Sequence, residues 1–88
     1  MLIKKSTTRF LRDLKKIKKR GYKLEKLDKI VKLLCYGRPL PQRCSPHKLF
    51  GEYQDLWECH IEPDWLLIYR LIEDRIEFIR TGTHSDLF

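Results

Sequence analysis

The sequence predicts an α+β fold: a short N-terminal edge strand, a basic two-helix hairpin and then an antiparallel β-meander. Three observations predict it. Apolar residues recur at helical spacing as far as Cys35 and at strand spacing from His47 onward. Gly and Pro cluster where the period changes. Positive charge is crowded into the helical half, where residues 1–38 hold 14 Lys/Arg against 3 Asp/Glu, whereas residues 39–88 hold 5 against 9.

Met1-Leu2-Ile3-Lys4-Lys5 is short and apolar at its start, as an edge strand can be. Ser6, Thr7 and Thr8 offer hydroxyls that cap a helix, because a side-chain oxygen satisfies the open N–H groups of the first turn. Phe10, Leu14 and Ile17, with Leu11 alongside, repeat at helical spacing, and Gly21 falls where a left-handed residue closes a helix. Leu24, Leu27, Ile30, Val31, Leu34 and Cys35 form a second apolar stripe, stopped by Gly37 and Pro39. Two amphipathic helices on so short a connection are expected to pack as an antiparallel hairpin. Residues 38–46 carry three prolines and read as an ordered loop.

From there the pattern is that of strands. Trp57, Cys59 and Ile61 alternate with Glu58 and His60. Pro63-Asp64 and Glu73-Asp74 are tight turns, and the stretch between them is apolar on both faces, as a central strand is. Ile76 and Phe78 then alternate with Glu77 and Ile79. Three strands on short turns make a meander.

At 88 residues, the chain is expected to form a single domain over 1–88. The longest uncharged apolar run, residues 65–69, is far short of the roughly 20 residues that span a bilayer, so no membrane partner is expected. No apolar stretch follows the basic start, and the expected location is the cytoplasm. Cys35, Cys44 and Cys59 are odd in number and lack C-x-x-C spacing, so they read as reduced core or loop residues. Nucleotide-binding and nucleophile-elbow motifs are missing. The uneven net charge of +7 points to a polyanion.

The residues able to carry chemistry lie in the second half. His47 precedes a strand, His60 ends one and His84 follows the last. Asp64 lies across the Pro63 turn from His60, so strand pairing makes them neighbours, and residue 84 can return to the same end of the sheet. A His/His/Asp/His cluster beside a basic surface suits RNA cleavage. One group takes the proton of the ribose 2′-hydroxyl, another protonates the departing 5′-oxygen, and a cation meets the phosphate. Histidine can do either proton transfer near neutral pH, and Arg80 is the candidate cation. The internal nucleophile makes a metal or other cofactor unnecessary, and the histidine spacings match no common zinc motif. Each residue also has a plainer reading: Asp64 as a turn residue, Trp65 as core, and Arg80 as the partner of Glu77 or Glu62.

The strings His47-Lys48-Leu49-Phe50-Gly51, H-x-E-P-D-W-x-L-I-Y over residues 60–69 and R-T-G-T-H-x-x-L-F over 80–88 closely resemble the YafQ-like branch of the RelE/ParE toxin superfamily. The likeness in layout spans nearly the whole chain and implies a RelE-like fold. It further implies that His47, His60, Asp64 and His84 form the acid–base group, and that Arg80 lies near the scissile phosphate. Trp65 and Phe88 are implied to hold a base or shape the site. The implied function is ribosome-dependent, metal-free cleavage of messenger RNA by a toxin that a cognate antitoxin restrains, with operator DNA bound only by the toxin–antitoxin complex. Within that reading His84 is the general acid, and Asp64 with His47 or His60 serves as base or fixes orientation. Codon preference does not carry over, because Phe50 and the residues up to Trp57 look variable. Competing readings are a non-catalytic RNA- or ribosome-binding module, a gyrase-directed relative and a helix-turn-helix DNA binder in the first 38 residues.

Overall fold

The computed structural model describes residues 1–49 and 55–88. Phe50 and Gly51 of the matching string, with residues 52–54 of the variable segment, therefore lie outside the described residues. The elements run β1 (Ile3–Ser6), α1 (Thr8–Lys19), α2 (Leu24–Cys35), a 3-10 turn (Gln42–Cys44), β2 (His47–Lys48), β3 (Trp57–Glu62), β4 (Trp65–Ile72), β5 (Arg75–Gly82) and α3 (His84–Leu87). They build one mixed five-stranded sheet in the order β1-β5-β4-β3-β2.

The local signals act as the sequence predicts. Thr7 is the N-cap of α1, its hydroxyl accepting from the Phe10 N–H at 3.0 Å. Gly21 and Gly37 close the two helices with φ of 88° and 65°, the left-handed region open to glycine. Leu66 to Ile68 on β4 are fully buried, since β4 is central and covered on both faces. The meander β3–β4–β5 is antiparallel throughout.

Three features go beyond the sequence reading. The N-terminal strand pairs parallel to β5, with Ile3 opposite Arg75 and Ser6 opposite Phe78. Its direction follows from the helical hairpin, which carries the chain away and lets it return through the meander. His47 lies within a two-residue strand paired to β3, with His47 opposite Glu58. Finally, residues 84–87 form a short helix, α3, rather than a trailing segment.

Because β1 ends at Ser6, the edge of β5 beyond Phe78 has no strand partner, and two side chains from the α1 segment take its place. The Thr7 hydroxyl donates to the Ile79 carbonyl at 2.8 Å, and the Asp13 carboxylate accepts from the Thr81 N–H at 3.1 Å. Buried backbone polar groups must find partners, and an irregular edge finds them in side chains. The main core lies between this sheet and the helices, where Phe10, Ile17, Leu27 and Ile30 meet Trp65, Leu67, Tyr69 and Phe78. A smaller cluster of Leu56, Leu66, Ile68 and Leu87 covers the other face.

Candidate active site

Strand alternation decides which residues reach the open face. Cys59 and Ile61 of β3 turn into the main core, so Glu58 and His60 between them face the opposite side. The register carries that face across the sheet: His60 is opposite Leu66, and Leu66 is opposite Gly82. One step along, His47, Glu58, Ile68 and Arg80 form a second row across four strands.

Asp64 and His84 meet where the β3–β4 turn lies beside the start of α3. Asp64 Oδ1 accepts from the His84 backbone N–H at 2.9 Å and from His84 Nδ1 at 2.5 Å. The backbone hydrogen bond, then the imidazole bond, hold the Asp64 carboxyl below the usual carboxylate range. An ionised carboxylate only accepts, so it keeps the proton on Nδ1 and leaves Nε2 to the surface. Both side chains are more than half exposed, as groups that must meet a macromolecule need to be.

The short helix that begins at His84 is held from three sides. Thr83 and Asp86 form a capping box, with Thr83 Oγ1 accepting from the Asp86 N–H and Asp86 Oδ2 accepting from the Thr83 N–H. Arg20, the last residue of the α1 cap, grips the same carboxylate twice, at 2.7 and 3.0 Å. That grip is the main cause of a strong downward shift of the Asp86 pKa. Gly82 has φ 157°, and a Cβ there would stand 2.9 Å from Asp86 Cβ and Oδ2, so only glycine lets β5 run into α3 at this angle.

His60 lies beside this pair, its ring centroid 5.9 Å from that of His84. Its Nδ1 donates to the Pro63 carbonyl at 3.2 Å, while Nε2 lies 3.6 Å from Glu58 Oε1. His47 mirrors it on β2, with Nδ1 donating to the Ser45 carbonyl at 2.8 Å and Nε2 3.5 Å from the same Glu58 oxygen. Glu58 is thus a nearly buried carboxylate held between two imidazoles. The four residues expected to cluster do so, in a line from His47 through His60 to His84 and Asp64. Among the described residues, no group of three or more His, Cys, Asp or Glu side chains is arranged to hold a metal ion.

Residues 3–88 match the profile of a family described as a bacterial toxin of type II toxin–antitoxin systems, YafQ. The chain belongs to the YafQ toxin family. It is 39% identical over 80 residues to the mRNA interferase toxin YafQ of Escherichia coli, which covers 90% of this chain and 87% of that one. The crystal structure of Escherichia coli YafQ superposes with a TM-score of 0.94 at 34% identity, over 100% of this chain and 99% of that one. YafQ in its complex with DinJ superposes at 0.92 and 35% identity, over 100% and 99%. A metal-bound toxin of Helicobacter pylori gives 0.94 at 37% identity, over the whole of both chains.

Within this YafQ-family fold three expected site residues take particular places. Trp65, expected either to hold a base or shape the site or to belong to the core, is fully buried in the core and cannot stack on a base. Its position on β4 turns it toward the helices, where its edge meets Tyr22 at 5.2 Å and Nε1 donates to Thr81 Oγ1 at 2.9 Å. These contacts anchor the start of β4, next to Asp64. Arg80 pairs with Asp13, through Nε at 2.7 Å and Nη2 at 3.2 Å, and not with Glu77 or Glu62. Instead Glu77 faces Arg70 and Glu62 faces Lys26. Phe88 follows α3 with 60% of its surface exposed, its backbone N–H donating to the His84 carbonyl.

Sequence reasoning missed Glu58, Asp13 and the Arg20–Asp86 clasp. Glu58 was open to discovery, because it lies two residues before His60 on the same strand face. The other two join positions 66 to 68 residues apart, for which one sequence offers no signal.

Proposed function

We propose that this chain is an mRNA interferase toxin that cuts messenger RNA on the ribosome, using His84 as general acid and His60 as general base. The observation that carries the reading is the placement of the two rings 5.9 Å apart on an exposed face, each with its Nδ1 hydrogen fixed by an acceptor from behind. A phosphodiester held between them meets both Nε2 atoms. His60 Nε2 takes the proton from the ribose 2′-hydroxyl, and that oxygen bonds to phosphorus. The bond from phosphorus to the 5′-oxygen breaks, and His84 Nε2 supplies its proton, leaving a 2′,3′-cyclic phosphate and a 5′-hydroxyl.

The two carboxylates then have separate tasks. Asp64, kept ionised by two hydrogen bonds, is a weak base and serves to orient His84, holding its Nδ1 so that Nε2 faces the open side. Glu58 stabilises the positive charge that His60 gains, with His47 supporting Glu58 from the far side. Arg80, with Nε and Nη2 on Asp13, adds positive potential beneath the site. Phe88 offers an exposed ring for a neighbouring base. A cognate antitoxin restrains the toxin, as the existence of a DinJ–YafQ complex in Escherichia coli suggests. An acidic segment would suit the basic face, and operator DNA is contacted only by the complex. The toxin acts in the cytoplasm, where its target is.

Primer extension on a model messenger RNA in a purified translation reaction tests this, comparing the parent with His60→Ala and His84→Ala, with and without ribosomes. Coding-region cuts that need both ribosomes and the two histidines are expected. Cuts made without ribosomes would change the target, and parent-like cutting by both variants would remove the histidines from the chemistry.

A further inference from the structure

The chemistry above leaves the charge of the bound phosphodiester incompletely met. Arg80 is engaged by Asp13 and Arg20 by Asp86. Arg43 is placed differently. It lies exposed on the 3-10 turn, its Nη1 donates to the Ile61 carbonyl at 3.3 Å, and among the described residues it has no carboxylate partner. A guanidinium carries five N–H donors in a planar fork, so one bond to a backbone oxygen fixes the plane and leaves donors for an oxyanion.

Arg43 is also shared by two adjoining clefts. The first, of about 360 Å³, is bounded by Arg43, Ser45, His60 and the 61–63 stretch. The second, of about 440 Å³, continues from the same stretch past Arg43 to Lys26 and Lys29 on α2. The two clefts share Arg43 and the 61–63 stretch, and so adjoin along a path from His60 across the 3-10 turn to the basic helix. Glu62 is the acidic residue in their lining, and Lys26 takes that carboxylate at 2.6 Å. The charges left facing this groove of adjoining clefts are those of Arg43 and Lys29.

We propose that this groove is a track for single-stranded RNA, in which Arg43 grips the backbone phosphate next to the scissile bond and Lys29 the phosphate beyond it. The proposal rests on the reading of the chain as a ribonuclease. Continuity with the acid–base pair favours RNA over an acidic protein segment: His60 is itself a wall of the groove, so a strand positioned for cleavage must leave along it or away from it. A positive groove that follows the backbone, with exposed rings for the bases, is how single strands are held without sequence readout.

The test is steady-state cleavage of a model messenger RNA on programmed ribosomes by the parent, Arg43→Ala, Arg43→Lys and Lys29→Ala, with the melting temperature of each. Arg43→Ala is expected to raise KM by about tenfold or more with kcat little changed, the loss of one charge-assisted phosphate contact. Arg43→Lys restores only part of it, because the ammonium keeps the charge but not the planar fork that holds the Ile61 carbonyl and a phosphate together. Lys29→Ala, an exposed helix position that leaves the fold intact, gives a smaller rise and a shallower salt dependence. Parent-like KM for both alanine variants overturns the track while leaving the ribonuclease standing. Normal cleavage by Arg43→Ala combined with escape from antitoxin also overturns it and assigns the groove to the antitoxin. Absence of cleavage by the parent overturns the ribonuclease reading, and the track with it.

Discussion

On the helix side of the sheet, Trp65, Leu67, Tyr69, Ile76 and Phe78 are closed under α1 and α2. On the opposite side Leu66 and Ile68 support a face on which His60 and His84 are open to water, with Glu58 nearly buried beside His60. Neighbouring residues of the chain thus serve opposite ends. Asp64 is exposed and bonded to His84, whereas Trp65, one position on, is sealed in the core. Strand alternation separates stability from chemistry at the cost of one residue of spacing. The open side can carry polar and charged groups because the apolar burial that holds the fold lies on the other.

That contrast can be broken from either side. The largest effect is expected on the open face. His84→Ala should lower the cleavage rate by about 10²–10⁴-fold, the usual contribution of a positioned acid, with little change in melting temperature. A melting point that fell with activity would mean the two faces are not separate. On the helix face, Trp65→Ala should cost about 3–5 kcal/mol, measured by denaturant unfolding, because a large ring is removed from a packed core and Thr81 loses its donor. The folded fraction of that variant, assayed directly, should still cut. Full loss of activity in folded protein would return Trp65 to the chemistry.

Gly82→Ala lies between these cases. The added Cβ collides with Asp86 and disturbs the box that sets His84, so both stability, by about 1–3 kcal/mol, and cleavage should fall together. Unchanged values on both counts would show that α3 tolerates a shift. A smaller effect is expected of Asp64→Asn, followed by thermal melting across pH. The folded pKa of Asp64 is depressed, so its ionised form contributes stability that is present above the ordinary value of 3.8 and is lost as pH falls through the folded value. The parent's small advantage over Asp64→Asn should hold near neutrality and close in acid. An advantage that grew in acid would contradict the bonding seen here.

The smallest effect concerns the closed side alone. Burial pushes the Cys59 thiol up to about 12, and Cys35 and Cys44 are raised by burial as well. Thiol reagents at mild alkaline pH should leave Cys59 untouched in the folded protein and modify it after denaturation. Rapid labelling of Cys59 in the native state would show that the core opens.

The helix caps, the hairpin, the meander and the alternation that places Glu58 and His60 together were all legible. Each depends on residues within a few positions of one another, and short-range periods and turn residues report such structure directly. The cluster of His47, His60, Asp64 and His84 was legible in part for the same reason, since His60 and Asp64 are joined by one tight turn. His84 joins them through strand pairing across β4 and β5, which the meander implies. Trp65 was readable either as core or as a base-holding ring, and only the packed sheet decides for the core.

By itself, then, the sequence determined the elements, their order, the basic half and the set of titratable residues, because local geometry and composition follow from neighbouring side chains. The tertiary structure alone decided the parallel pairing of β1, the Asp13 carboxylate on the open edge of β5, and the bridging of Glu58 between His47 and His60. It also decided the clasp of Arg20 on Asp86 and the exposure of Arg43 in a groove beside His60. These contacts join residues distant in the chain, where many carboxylates could meet many cations, and only the closing of the core brings particular pairs within reach.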